Sequence, residues 1–590
     1  MRGKTAIAFA TALVGTIIIN ARATDYSVTG LWQLSHHESD VLPVHAALMP
    51  TEEIAAQVLI MAGSGNDPTY SRGVNEARLW DALTEDVHGV PGGEPFSGES
   101  IPTGDPPTLN DNDIFCAGHV LLPDGRLFAA GGNLEYPSHH PAGFHPVHVT
   151  PPNYDSPEAR PACHDFLGLR DSFIFDPWTK QWTRGPKMER GRWYPSLLSL
   201  GTGRVLAISG LDDIGQGGLV GNQFLPDAYD NQNCRGPVLN SGVEIYNPAT
   251  SSWSPRMIPN PGAGQLNAGN LGLYPYLHLL PDGNVFLAGP TNQTQVFDPN
   301  TLQIIGGTKF TTRTSPSPSA SNWRDYGYST LLALRPSEGY KARVLNVGGA
   351  GDNGPPPNPP IFEDRAEIID FSDSVPQWKP VAPMSKRRYQ GASVLLPDGK
   401  VLVAGGGAGG DTNDNAHLDA EMYDPAANTW SYAGTATIPR MYHSVGILLP
   451  DGRVFVGGSN PHDTLDQNEH MVETRVEIYS PPYLFKGERG DIPEHPSEIH
   501  YGQSFNIRMS AATFANQATK VVLMRPGSTT HTRNFDQRLV EMTMTKDPAT
   551  PRRLYLTAPP NGNIAPPGYY LMFVLHGNGI VSRGHILKLS

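Results

Sequence analysis

One phrase recurs along this chain, and a recurring phrase points to a repeated structural unit. Its fullest form is Leu121-Leu-Pro-Asp-Gly-Arg-Leu-Phe-Ala-Ala-Gly-Gly132. Versions return at Leu200–Gly210, Leu279–Gly289, Leu395–Gly406 and Leu448–Gly458, with weaker copies at Gln57–Gly63 and Ala342–Gly349. Each reads as an apolar strand, an Asp-Gly-type turn, a second strand and closing glycines. That is a β-hairpin whose ends bend where side chains would clash. After most copies comes a second phrase, Val243–Trp253, with relatives at Phe173–Trp182, Thr294–Pro299, Ala366–Trp378 and Ala420–Trp430. It supplies two outer strands. Four strands per unit, repeated seven times at intervals of roughly 50 to 80 residues, predict an all-β fold with a seven-bladed kelch-type β-propeller. The propeller is expected over residues 24–482, with 64–112 and 133–171 as inserted loops. Residues 483–590 lack the phrase and show short alternating strands, such as Lys520–Met524 and Gly568–Val574. They read as a separate immunoglobulin-like (Early-set) β-sandwich.

The N-terminus carries a basic start (Met1-Arg-Gly-Lys4), an apolar run from Thr5 to Ile19 and the small-x-small triplet Ala21-Arg-Ala23. That is the layout of a cleaved signal peptide over 1–23, so export is expected, and no later segment approaches membrane-spanning length. Losing Arg2, Lys4 and Arg22 moves the net charge from −14 to −17. An acidic surface argues against nucleic acid or an anionic membrane as partner. Gly 63 and Pro 56, with no long amphipathic helix pattern, agree with short strands and turns. Asn292-Gln-Thr294 is a glycosylation sequon if the host is eukaryotic. Of three cysteines, Cys163 and Cys234 can pair in an oxidising compartment, and Cys116 then needs another fate.

Counting back nine residues from each hairpin's turn glycine aligns the inner strands. Gly125 leads to Cys116, Gly203 to Tyr194 and Gly283 to Tyr274. Gly399 leads to Gln390, with Tyr389 just before it, and Gly452 leads to His443, with Tyr442 just before it. Equivalent positions should form a ring at one mouth of the propeller axis. Aromatic side chains such as Tyr274 and Tyr389 suit a packed axis. A thiol, phenols and an imidazole together suit a borderline divalent metal such as copper. Neighbouring strand residues point to opposite faces, so Tyr442 and His443 can share one metal only where the strand ends or is distorted.

Four segments carry a family resemblance: Ile114-Phe-Cys-Ala-Gly118, Arg192-Trp-Tyr-Pro195, Arg440-Met-Tyr-His-Ser444 and Thr530-His-Thr-Arg-Asn-Phe-Asp-Gln-Arg538. In them the chain resembles the copper radical oxidases, the group of galactose oxidase and glyoxal oxidase, over nearly all of the exported sequence. The resemblance implies a copper held by Tyr194, Tyr442, His443 and His531. It also implies a thioether between Cys116 and Tyr194 that stores a radical, with Tyr442 as general base. The implied reaction oxidises an aldehyde or alcohol with O2 and forms hydrogen peroxide.

The pattern departs from galactose oxidase in one place. Its tryptophan over the thioether would fall in Ser209-Gly-Leu-Asp-Asp213, which has no aromatic residue, so Trp193, Trp323 or a loop residue are the candidates to shield the pair. Arg192-Trp-Tyr-Pro195 is more similar to the glyoxal oxidase branch. Small aldehydes as hydrates, or simple primary alcohols, are therefore the expected substrates rather than galactose. Arg388 and Tyr389 at the rim are candidates for orienting substrate, and Arg388 equally suits a solvated surface. His139, His140, His145 and His148 are weaker candidates for a second metal, and His576 reads as structural. The alternatives are a non-catalytic exported kelch propeller that binds carbohydrate or protein, and a galactose- or alcohol-type oxidase rather than an aldehyde-type one.

Overall fold

The computed structural model describes residues 25–51, 56–62, 77–90, 113–135, 167–213, 239–266, 271–291, 293–311, 324–351, 361–460 and 473–590. Residues 1–23, Cys163, Cys234, Asn292, Trp323 and the histidines at 139, 140, 145 and 148 lie outside them. Seven sheets of the propeller follow in chain order. Their innermost strands are His45–Met49, Gly118–Leu121, Ser196–Ser199, Tyr276–Leu279, Tyr328–Leu331, Ala392–Leu395 and Val445–Leu448. Each pairs antiparallel with the second strand of its phrase, as Val445–Leu448 does with Val454–Gly457. The turn between that pair needs a residue in the left-handed region, and Gly452 takes φ 87° there.

Two features differ from the expected layout. Residues 64–112 are not simply an inserted loop, because Ala77–Asp81 and Val87–Gly89 complete blade one. They were hidden because the strands sit inside a long insertion without an Asp-Gly turn. Residues 133–171 do carry only a small ribbon among the described residues, Asn133–Glu135 against Leu167–Gly168. Blade seven takes its outer strand from far upstream, with Leu31–Leu34 pairing with Glu477–Ser480 and so closing the ring.

Four blades share a buried ion pair that holds the segment leading into the inner strand. Arg192 meets Glu244 at 2.8 Å, Arg324 meets Glu367 at 3.2 Å, Arg388 meets Glu421 at 3.1 Å and Arg440 meets Glu477 at 3.4 Å. Arg192, Arg388 and Arg440 also donate to the carbonyls of Ser209, Gly405 and Gly458, at the closing end of their hairpins. A buried charge must be paired in this way, and removing one partner is strongly destabilising. In these three blades the arginine thus locks the lead-in segment against the closing end of its own hairpin. Gly458 leaves no room for more, since a Cβ there would sit 2.2 Å from the His443 carbonyl oxygen.

The C-terminal domain is β-sandwich-like, and the propeller and this domain share a core. Leu280, Leu331 and Leu334 of the propeller belong to one buried apolar cluster with Val521, Leu523, Ile564 and Tyr570. Between the paired strands Ala518–Arg525 and Arg538–Lys546, the chain makes an excursion into the propeller axis. There Ser528–Thr530 pairs with blade one's inner strand, setting Thr530 opposite His45 and Ser528 opposite Ala47. The return strand Arg533–Asn534 makes this sheet six-stranded.

Candidate metal centre at the mouth of the propeller axis

Six blades begin their inner strand with the same irregularity. The residue two places before the strand has a positive φ: Cys116 at 62°, Tyr194 at 63°, Tyr274 at 45°, Tyr326 at 51°, Gln390 at 63° and His443 at 61°. Non-glycine residues seldom adopt this conformation, so its repetition marks a built ring. Backbone hydrogen bonds run around it. Tyr194 N–H donates to the Cys116 carbonyl at 3.0 Å, Tyr274 N–H to Tyr194 at 3.0 Å and Gln390 N–H to Tyr326 at 2.9 Å. Blade one has Pro43 at the corresponding place, and a proline cannot turn to positive φ.

The left-handed residue is the distortion that Tyr442 and His443 require. Their rings lie 3.8 Å apart, turned to the same side. The hydroxyls of Tyr194 and Tyr442 are hydrogen-bonded to each other across the axis. His531, at the tip of the excursion, packs its ring 4.4 Å from His443, 4.8 Å from Tyr194 and 5.3 Å from Tyr442. Its Nε2 lies 3.7 Å from Cys116 Sγ. The ligand atoms of Cys116, His443 and His531 all fall within 4.8 Å of one another, and all three residues are buried. Cys116 is in no disulfide and is hydrogen-bonded to Tyr194.

The tautomers are set from behind. His443 Nδ1–H donates to Asn460 Oδ1 at 2.5 Å, which leaves the lone pair on Nε2. Thr530 Oγ1–H donates to the Val44 carbonyl at 2.8 Å, so its oxygen accepts His531 Nδ1–H at 2.6 Å. His531 Nε2 then also carries a lone pair toward the axis. Burial is the main force raising the Cys116 thiol and the Tyr194 and Tyr442 phenols well above their usual ranges. Neighbouring phenols and the thiol add to the effect on both tyrosines. The site is a cluster of neutral groups with two imidazole nitrogens and two phenol oxygens converging. That donor set fits a borderline divalent ion such as copper.

All five residues expected at the site, Cys116, Tyr194, Tyr442, His443 and His531, come together. Trp193 packs its ring edge-on to Tyr194 at 4.1 Å. Tyr274 packs at 4.6 Å on the same ring and donates to the Ala117 carbonyl. Tyr389 sits against Phe362, 4.8 Å away. Arg388 is neither a rim group nor solvated: it is fully buried on Glu421, because the lead-in segment needs it as an anchor. His576 is buried in the C-terminal domain.

Counting back missed Tyr326, whose ring meets Tyr442 at 5.6 Å and 89°. Blade five closes its hairpin with a 3-10 turn at Pro336–Glu338, so the nine-residue interval fails there. A second signal would have found it. Arg-x-Tyr recurs at Arg192-Trp-Tyr194, Arg324-Asp-Tyr326, Arg387-Arg-Tyr389 and Arg440-Met-Tyr442, its tyrosine at a ring position or just before one.

Two family profiles match the chain: glyoxal oxidase N-terminus over residues 263–483, and galactose oxidase-like, Early set domain over residues 489–589. The chain carries a glyoxal oxidase N-terminal domain and a galactose oxidase-like domain. Among curated relatives, "Aldehyde oxidase GLOX" of Vitis pseudoreticulata is 27% identical over 495 residues, covering 79% of this chain and 80% of that one. A "WSC domain-containing protein" of Arthroderma benhamiae is 28% identical over 484 residues, covering 79% of this chain. The match spans only 44% of that relative's length. The solved structure of a fungal alcohol oxidase in complex with copper shares the fold, with a TM-score of 0.66 at 19% identity, covering 95% of this chain and 100% of that one.

Proposed function

We propose that this protein is an exported copper radical oxidase that oxidises small aldehydes, as hydrates, or simple primary alcohols while reducing O2 to hydrogen peroxide. The observation that carries this reading is the convergence of Cys116, Tyr194, Tyr442, His443 and His531 in one buried cluster. Tyr194, Tyr442, His443 and His531 would hold the copper, and Cys116 would be joined to Tyr194 as a thioether. Copper, when bound, supplies a one-electron acceptor and a Lewis acid for the substrate oxygen.

The chain's own residues do the rest. Oxidation of R–CH2–OH, or of an aldehyde hydrate, removes two electrons and two protons, and O2 takes them up as hydrogen peroxide. Tyr194, bonded at its ring to the Cys116 sulfur, stores one oxidising equivalent and takes the hydrogen from the substrate carbon. Tyr442, which would give up its own proton to hold the copper, accepts the substrate's hydroxyl proton, a role that fits its contact with Tyr194 and with Tyr326. Trp193 covers the Tyr194 ring and limits water at the radical. The absence of an aromatic residue at Ser209–Asp213 and the name of the grape relative favour aldehydes over galactose. The pattern over 1–23 and the acidic net charge favour export and a small-molecule partner.

Copper loading of the full chain in air, followed by intact mass, tests the reading. The expected mass is lower than the free-thiol chain by two hydrogens, and Cys116→Ser is expected to abolish that loss. Peroxide should appear with aldehyde hydrates or primary alcohols, and Tyr442→Phe should lower turnover about 10²–10⁴-fold. An unchanged mass together with no peroxide from any member of the panel would sink the proposal.

A further inference from the structure

A second buried cluster adjoins Cys116, its nearest ring 6.0 Å from that of His531, and the proposed chemistry does not use it. It consists of His45 on blade one's inner strand, His119 on blade two's inner strand and Ser528 on the excursion from the C-terminal domain. Their hydrogen bonds have one consistent direction. Ser528 Oγ–H donates to the His119 carbonyl at 2.9 Å, so its oxygen accepts His119 Nδ1–H at 2.6 Å. His119 Nε2 must then accept from His45 Nδ1–H at 3.1 Å. His45 Nε2 finally accepts the backbone N–H of Cys116 at 3.2 Å. Both imidazoles are 1% exposed, and all four ring nitrogens have a partner in this series.

The reason for the cluster is visible in the ring. Tyr194, Tyr274 and Gln390 each give their N–H to the carbonyl of the preceding blade's ring residue. Cys116 instead gives its N–H to His45 Nε2, and Pro43, which cannot take a positive φ, stands where blade one's ring residue would be. Its φ of 62° is nonetheless the same as theirs. A left-handed cysteine is costly and persists only if its surroundings impose it.

We propose that His45 is a positioning residue for Cys116: its Nε2 takes the N–H that Tyr194, Tyr274 and Gln390 give to a backbone carbonyl. His119 and Ser528 fix the tautomer and orientation of His45, and through Cys116 N–H they aim the sulfur at the Tyr194 ring. The inference rests on the reading that Cys116 and Tyr194 become joined. In that step one S–C bond forms as the Cys116 S–H and one Tyr194 ring C–H are lost. The two electrons and two protons pass to O2, which leaves as hydrogen peroxide. A misdirected sulfur slows bond formation without altering any copper ligand, because the step depends on near-attack geometry.

Full-length protein made without copper is given Cu(II) in air, and intact mass is followed with time beside thermal melting. His45→Ala is expected to slow the loss of two hydrogens on the order of tenfold or more. His45→Gln, whose amide can accept from Cys116 N–H and donate to His119, is expected to restore most of the rate. A filler role in packing would not produce that rescue. Closure at the wild-type rate in folded His45→Ala overturns the proposal. If that variant fails to fold, Ser528→Ala keeps both imidazoles and is read in the same way: slower closure supports the proposal and unchanged closure overturns it. A wild-type chain that never loses two hydrogens overturns this proposal together with the thioether reading. Normal closure in wild type and in His45→Ala overturns this one alone.

Discussion

Residues 528–538 close the propeller axis at both ends, and the two ends are built from opposite materials. At the mouth, where inner strands begin, His531 joins neutral groups that are buried with lone pairs facing inward. At the floor, where those strands finish, a carboxylate, an amide and a guanidinium are each answered by partners. Asp536 there accepts from Arg525 Nε at 2.9 Å, Ser199 Oγ at 3.0 Å and Leu121 N–H at 2.6 Å. Gln537 accepts from Leu395 N–H, and Arg538 donates to the carbonyls of Leu279, Asn563 and Ile564. Four blades are thereby tied to the C-terminal domain at their strand ends. Burial alone distinguishes nothing here. Complete pairing makes an anchor, and convergence of neutral donors makes a site.

The largest separation of the two ends should come from Asp536→Ala. It leaves Arg525 buried without its carboxylate, at a cost of about 3–5 kcal/mol. Denaturant unfolding should show that loss, while folded protein still closes the thioether at the normal rate. A wild-type stability would break the comparison. Asn460→Ala should act at the mouth only. It frees His443 Nδ1 and is expected to weaken copper binding about 10–100-fold by competition titration, with unfolding little changed.

Acid should give the smallest effect per step, again at the mouth. Burial pulls His119 down to about 3, far below the unfolded value of 6.5, and lowers His45 in the same direction. The unfolded chain therefore binds more protons between those values. The stability from the neutral imidazoles is complete above about pH 6.5 and falls as pH drops toward 3. Each histidine contributes a slope of up to about 1.4 kcal/mol per pH unit. Melting scans of wild type and His119→Gln should diverge in that window. Parallel curves would remove the neutral pair from the account.

Much of this was legible because turn chemistry sets register. Where an Asp-Gly turn closes the hairpin, counting back nine residues reaches Cys116, Tyr194, Tyr274, Gln390 and His443, and all five have the left-handed backbone. His531 came from family resemblance, since no periodicity links the excursion to the ring. Tyr326 escaped because Pro336–Glu338 lengthens its hairpin. The outer strands of blade one lack turn chemistry, and nothing local reports that Leu31–Leu34 pairs with Glu477–Ser480. His45 and His119 were invisible for a related reason. Each is one polar residue in an apolar strand, and only the fold says which imidazole faces which.

The closure of blade seven also sets an order in time. Leu31–Leu34 is made early and finds its partner only after Ser480 has left the ribosome, roughly 20–90 s later at ordinary synthesis rates. His531 follows later still. Until then the nascent chain holds Cys116 and Tyr194 without the histidine that completes the cluster, so a metal ion met during synthesis encounters scattered side chains rather than a reactive centre.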